Sequence, residues 1–184
     1  MKTVRTDLCV LEPQVEAHAP AMFEVLSDRA IYEFEGVPPP SVERLAAGYR
    51  RRQSRISPDG SEQWLNWIVR LPTSELAGYV QATVLTTGVS YVAYELASKY
   101  WQQGIGSASV SAMMQELSQT YGVTMFVAVL KTANFRSMGL LRHLGFLPGS
   151  PADAEKYEAE QDEVVMVKAA PEGQSRPPAI ANAA

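Results

Sequence analysis

The chain has 184 residues, 16 basic against 20 acidic side chains, a formal charge of −4 at neutral pH and a pI near 5.3. With 46% hydrophobic and 20% charged residues it is too apolar for a disordered polymer and of a length for one core, so a single folded unit is expected over residues 1–168. An acidic unit has no general attraction for nucleic acid, no apolar run approaches the roughly 20 residues of a bilayer span, and no Cys/His cluster has zinc-site spacing, so nucleic acid, membrane and metal are excluded as expected partners.

The N-terminal residues lack the apolar stretch of a secretory signal, and the lone Cys9 cannot close an internal disulfide, which points to a reducing cytoplasm. The first strand is expected at Leu8 to Leu11, ended by Pro13, which has no N–H for a sheet ladder. Ala19, Met22, Phe23 and Leu26 then recur at helical spacing, with Pro20 acceptable in the first turn. After Pro38-Pro39-Pro40, Ser41 is placed to cap a second helix running to about Arg55. Its Arg50, Arg51, Arg52 and Arg55 read as a solvated basic face, because no aromatic residues interleave with them.

Three antiparallel strands are expected over Trp64 to Leu71, Leu76 to Leu85 and Ser90 to Leu96, divided by turn formers at Pro72-Thr73-Ser74 and Thr86-Thr87-Gly88. Trp64 and Trp67 fall on opposite faces of the first, one for the edge and one for the core. Val110, Met113, Met114 and Leu117 mark the buried face of a helix that ends at Gly122. Val123 to Leu130 reads as a strand covered on both faces. A helix over Asn134 to Leu144 and a strand pair at Phe146 to Leu147 and Glu163 to Lys168 complete the unit, with Gly149 to Asp162 as a mobile loop. From Ala169 the composition is that of a disordered tail.

Two stretches carry chemistry. In Tyr94-Glu95-Leu96-Ala97-Ser98-Lys99-Tyr100-Trp101-Gln102-Gln103-Gly104-Ile105-Gly106 a strand passes through a glycine turn into a helix, an arrangement that presents unpaired N–H groups and the positive helix end to a phosphate. It completes neither G-x-x-x-x-G-K-[ST] nor G-x-G-x-x-G, where Ser109 takes the last position. About thirty residues on, Asn134-Phe135-Arg136-Ser137 opens a helix that closes before Gly145-Phe146; by residue type alone Asn134 and Ser137 cap that helix.

In this order the two stretches resemble the GNAT superfamily of N-acetyltransferases, and more closely its ribosomal-protein-alanine acetyltransferase-like branch, through Tyr94, Leu96, Tyr100, Trp101, Gly104 and Gly106 and then Asn134 and Ser137. The resemblance implies an α/β (α+β) fold with a mixed, mostly antiparallel sheet of about six to seven strands flanked by helices. It also implies acetyl-CoA as co-substrate, held by Leu96, Ala97, Gln102, Gln103, Gly104, Ile105, Gly106, Ser107, Ala108 and Asn134. Three positions depart from the wider superfamily: Trp101 replaces a loop Gln or Arg, Leu141 replaces the tyrosine that serves many members as general acid, and His143 stands where the branch often has lysine. Ser137 is then the implied acid.

The implied reaction is direct attack of a neutral amine on the acetyl thioester. An alkyl ammonium with a pKa of roughly 10 must first lose a proton, which assigns Glu95 as candidate base, although a solvated strand residue is an equally good reading of it. Glu33 and Glu35 are candidates to draw in a cationic acceptor, a peptide N-terminus or a small amine. His18 and His143 read as surface or packing residues. The competing reading is a non-catalytic acyl-CoA-binding or regulatory module, supported by Leu141. A monomer or homodimer is expected in either case.

Overall fold

The computed structural model describes residues 1–34 and 36–171. The strands are β1 (Val4–Arg5), β2 (Val10–Pro13), β3 (Glu62–Arg70), β4 (Leu76–Leu85), β5 (Val89–Leu96), β6 (Met125–Lys131), β7 (Leu147–Pro148) and β8 (Glu163–Ala169); the helices are α1 (Ala19–Val25), α2 (Val42–Arg52), α3 (Ile105–Tyr121), α4 (Phe135–His143) and α5 (Pro151–Lys156). One sheet has the order β1-β2-β3-β4-β5-β6-β8-β7. Every pair is antiparallel except β5 with β6. The sheet thus has one strand more than expected, the two-residue β1, which is too short to leave a period in the sequence.

Strand alternation decides which side chains meet which helices. Trp67, Val80, Val92 and Phe126 face α3 and join its Val110, Met113 and Leu117 in the main core. Trp67 is fully buried and its indole N–H donates to Lys2 O at 3.0 Å. On the opposite face, Met22 and Leu26 pack with Tyr49 of α2 against Ile68 and Leu76. Burying a side chain of this size contributes roughly 1.5–3 kcal/mol, so both faces stabilise the sheet. Ser41 caps α2 as expected, its hydroxyl accepting from Arg44 N at 3.3 Å.

The stretch Gly149 to Asp162, expected as a mobile loop, contains α5. Ser150 and Asp153 form a reciprocal capping box with Pro151 at the first helical position, and Tyr157 is buried with Val127 and Val165. The tail expected from Ala169 begins later: Ala169 closes β8, Ala170 N donates to Thr124 O at 2.8 Å, and residues 172–184 lie outside the described residues.

One feature of the sheet positions the site. β5 and β6 pair only from Val89 to Tyr91 with Met125 to Val127, although both strands continue. The two strands part there. Val92–Leu96 keeps its ladder to β4 on one side and leaves its other edge open of β6. At the far end of that segment Gly78 of β4 lies so close to β5 that a Cβ on it would sit 1.9 Å from Glu95 O. Only a residue without a side chain allows that approach, and it holds Glu95 and Leu96 in place.

Candidate active site

At the parting of β5 and β6 lies a cavity of about 410 Å³. One wall is the end of β5 (Tyr94, Glu95, Leu96), a second is the loop into α3 (Trp101, Gln102, Gly104, Gly106, Ser107), and a third is the start of α4 (Asn134 to Ser137). Ala30, Ile31 and Phe34, from the segment after α1, line it as well.

The loop leads into an uncapped helix start. Gln102 and Gly104 take left-handed φ of 58° and 79°, and Gly104 is the N-cap of α3 with no side chain capping it. Gly104 O accepts from Ala108 N, so the first turn is formed. Its leading N–H groups therefore have no intrahelical partners, and the positive end of a 17-residue helix meets the cavity. The bare Gly106 leaves room that Leu140 of α4 fills, since a Cβ there would lie 2.7 Å from Leu140 Cδ1. Trp101, the departure from the usual loop residue, donates its indole N–H to Leu96 O at 2.8 Å and so ties loop to strand.

At the start of α4, Asn134 Oδ1 accepts from Ser137 N at 3.1 Å, the capping role its residue type predicts. Tyr94 reaches across from β5 and donates its hydroxyl to Ser137 O at 3.2 Å. Burial pushes the Tyr94 hydroxyl up to about 12, while its hydrogen bond with Ser137 works against the rise. The phenol is thus protonated at neutral pH.

Glu95, one residue on, projects to the other sheet face, where Tyr79 is its hydrogen-bond partner. Burial first, and then the Glu95 charge and hydrogen bond, drive the Tyr79 hydroxyl well above its ordinary range. Tyr32 is pushed up to about 12 by burial and then by the charges of Glu95 and Asp28. Tyr49 is raised too, chiefly by burial. Glu95 therefore stands among three tyrosines rather than in bulk solvent. Asp28 fastens this wall: its carboxylate accepts from Ser98 N at 2.6 Å and Ala30 N at 3.1 Å. Burial opposes its ionisation, but these hydrogen bonds outweigh burial and hold its carboxyl below the usual range.

Residues 9–147 match the family model described as an acetyltransferase (GNAT) domain. The chain belongs to the GNAT acetyltransferase family. Among solved structures it is similar to the ribosomal L7/L12 α-N-protein acetyltransferase RimL in complex with coenzyme A, with a TM-score of 0.74 and 19% identity over 91% of this chain and 97% of that one. It is likewise similar to a ribosomal-protein-S5-alanine acetyltransferase from Vibrio fischeri (0.76, 14%, covering 94% and 98%). A third is the microcin C7 self-immunity acetyltransferase MccE in complex with acetyl-CoA and AMP (0.74, 13%, covering 90% and 94%). No curated protein matches the sequence significantly. The expected mixed, mostly antiparallel GNAT fold is the one observed.

Of the residues expected to hold the co-substrate, Leu96, Gln102, Gly104, Gly106, Ser107 and Asn134 line the cavity, as do Glu95 and Ser137. Ala97, Gln103, Ile105 and Ala108 do not. Ala97 and Ile105 are buried in the main core, and Gln103 turns its amide back to Lys99 O at 2.7 Å. Glu33 is engaged by Arg136, while Glu35 lies outside the described residues. Sequence reasoning passed over Tyr94 as a site residue and missed Arg136, whose guanidinium lies 4.4 Å from the Trp101 ring and 5.4 Å from that of Phe34. Such stacking strengthens a cation's hold on its wall. No local signal marks it, because Phe34 and Arg136 are joined only by the fold. His143 is exposed on α4, as expected, and His18 Nδ1 accepts from Val15 N at 3.1 Å in a packing role. Among the described residues no helix is long and apolar enough to cross a membrane, and no group of His, Cys, Asp and Glu is placed to hold a metal.

Proposed function

We propose that the chain is an acetyl-CoA-dependent N-acetyltransferase that moves the acetyl group to a primary amine by direct attack. The observation that carries this reading is the uncapped amino end of α3, led by left-handed Gly104, opening on the same cavity as the free edge of β5. The pyrophosphate of the co-substrate suits the first, and its amide-bearing arm suits the second, as an added strand suits an open edge.

The residues divide the work between the two faces of the sheet. Glu95, on the face of α1 and α2 and near Tyr32, Tyr49 and Tyr79, takes the proton from the incoming ammonium. Ser137, with Tyr94 behind it, stands on the α3 and α4 face to protonate the departing thiolate. Backbone N–H groups of the open β5 edge orient the carbonyl under attack. The lone, buried Cys9 accords with a cytoplasmic setting. A non-catalytic acyl-CoA binder has one observation in its favour: Leu141, at the usual tyrosine position, is 2% exposed in the main core and supplies no acid.

Thiol release from acetyl-CoA with a panel of peptide and small-molecule amines, beside calorimetric titration of CoA, tests the proposal. Release on at least one amine is expected, and CoA binding with no release on any amine would favour the binding module instead. Glu95→Gln is expected to lower kcat/KM for the accepted amine about 10²-fold while CoA affinity stays unchanged.

A further inference from the structure

A second cavity, of about 320 Å³, lies on the sheet face that carries Glu95 and plays no part in the transfer chemistry. Its floor is polar: Asn66 of β3 and Gln81 and Thr83 of β4 line it, with Trp64 on one side and Gly48, Arg51 and Arg52 of α2 on the other. Asn66 pairs with Gln81 and Gln81 with Ala93, while Tyr79, two residues before Gln81, pairs with Glu95. All these positions alternate onto one face. At about 3.4 Å per residue, Gln81 and Thr83 stand about 7 and 14 Å along the strand from Tyr79. Ala93, between Glu95 and this cavity, is exposed although β5 is a central strand, so no helix covers the path.

Polar side chains and two cations meet at this cavity. The side-chain amides of Asn66 and Gln81 line the cavity. Arg51 and Arg52 also converge: a Cβ on Gly48 would lie 3.4 Å from Arg52 Nη1 and 4.0 Å from Arg51 Nη2. No acid among the described residues pairs with either, whereas the neighbouring Arg50 is paired with Glu16, and the Trp64 indole N–H is already donated to Glu62. Two guanidinium groups without an acid partner, beside polar side chains, suit an anion. All three arginines are exposed, as expected of a solvated helix face, and of the three only Arg50 has an acid partner among the described residues.

We infer that this cavity is the anion subsite of the acceptor, which is a primary amine carrying a carboxylate or phosphate roughly 7–14 Å from its nitrogen. The amine reaches Glu95, the anion meets Arg51 and Arg52, and the polar atoms between amine and anion meet Asn66 and Gln81. An extended peptide with Asp or Glu at its second to fourth position has this span, as does a phosphorylated amine of similar length. The inference rests on the transferase reading of the neighbouring site.

The experiment compares kcat/KM for tetrapeptides bearing Asp or Glu with their Asn or Gln counterparts, and for an aminoalkyl phosphate with its alcohol, on the wild type and on Arg51→Ala/Arg52→Ala. The wild type is expected to favour the anionic member of at least one pair about 10-fold, an advantage that shrinks with added salt. Which pair responds identifies the carboxylate or the phosphate. In the double variant the two members become equivalent, with CoA affinity and the rate on the neutral acceptor unchanged. Equal use of both members by the wild type, or a preference that survives the double substitution, overturns the inference. Should no amine be acetylated, the transferase reading falls, and the cavity is judged by titrating the same anionic compounds against the Trp64 fluorescence, assigned with Trp64→Phe. A change lost in the double variant supports the anion site. No change overturns it.

Discussion

Gly104→Trp is expected to abolish measurable binding of coenzyme A, a loss of at least about 10²-fold in affinity, or roughly 2.7 kcal/mol. Two effects combine. A Cβ at this cavity-lining position would lie 3.4 Å from Leu8 Cδ1, so an indole there must displace Leu8 or crowd the uncapped helix end. The backbone at φ 79° also penalises any residue with a Cβ by roughly 1–2 kcal/mol, which tilts the N–H groups away from their common focus. Calorimetric titration of CoA reads the loss, and a thermal melt beside it shows that the fold survives. Gly104→Ala separates the two effects, because it keeps the backbone penalty without the bulk and is expected to bind weakly. Tight CoA binding by the tryptophan variant would remove the loop from the phosphate site.

The second large effect is expected at Ser137. Removing its hydroxyl in Ser137→Ala leaves the Asn134 cap intact, because that bond uses the backbone N–H of Ser137. The Tyr94 contact to Ser137 O also remains. Helix geometry and CoA affinity should therefore stay as they are while kcat falls about 10²-fold, the scale of one lost proton donor. Tyr94→Phe is expected to lower kcat less, since it removes a partner of Ser137 and not the donor. Single-turnover thiol release with saturating acetyl-CoA gives the measurement. Unchanged kcat in Ser137→Ala would exclude it as the acid and leave Tyr94, whose hydroxyl is held protonated by burial, to be tested in its place.

Most of the secondary structure was legible because its signals are local. Leu76 to Leu85 was bounded correctly by its turn residues, and the α3 face of Val110, Met113, Met114 and Leu117 by its period. The α5 capping box was legible as well, in Ser150-Pro151-Ala152-Asp153, but the polar composition around it suggested a loop; what decides the matter is Tyr157, packed 5.9 Å edge-on to the Tyr91 ring. Within the site, the glycine loop and the Asn134 cap could be read directly because each is a contiguous stretch answering to backbone geometry. Glu33 was named as a candidate, but its pairing with Arg136 could not be read, since the two are 103 residues apart.

By itself, then, the sequence determined the run of elements, the anion-ready start of α3 and the family resemblance, all of which follow from local periodicity, capping and glycine placement. Only the tertiary structure decided that Glu95 and Ser137 line one cavity from opposite sheet faces, that Arg136 stacks on Trp101 and Phe34, and that Arg51 and Arg52 meet beside Asn66 and Gln81. The physical reason is that each of these depends on the short pairing of β5 with β6 and on the helices laid across the sheet. Strand pairing and helix docking join residues far apart in the chain, where no spacing rule reaches.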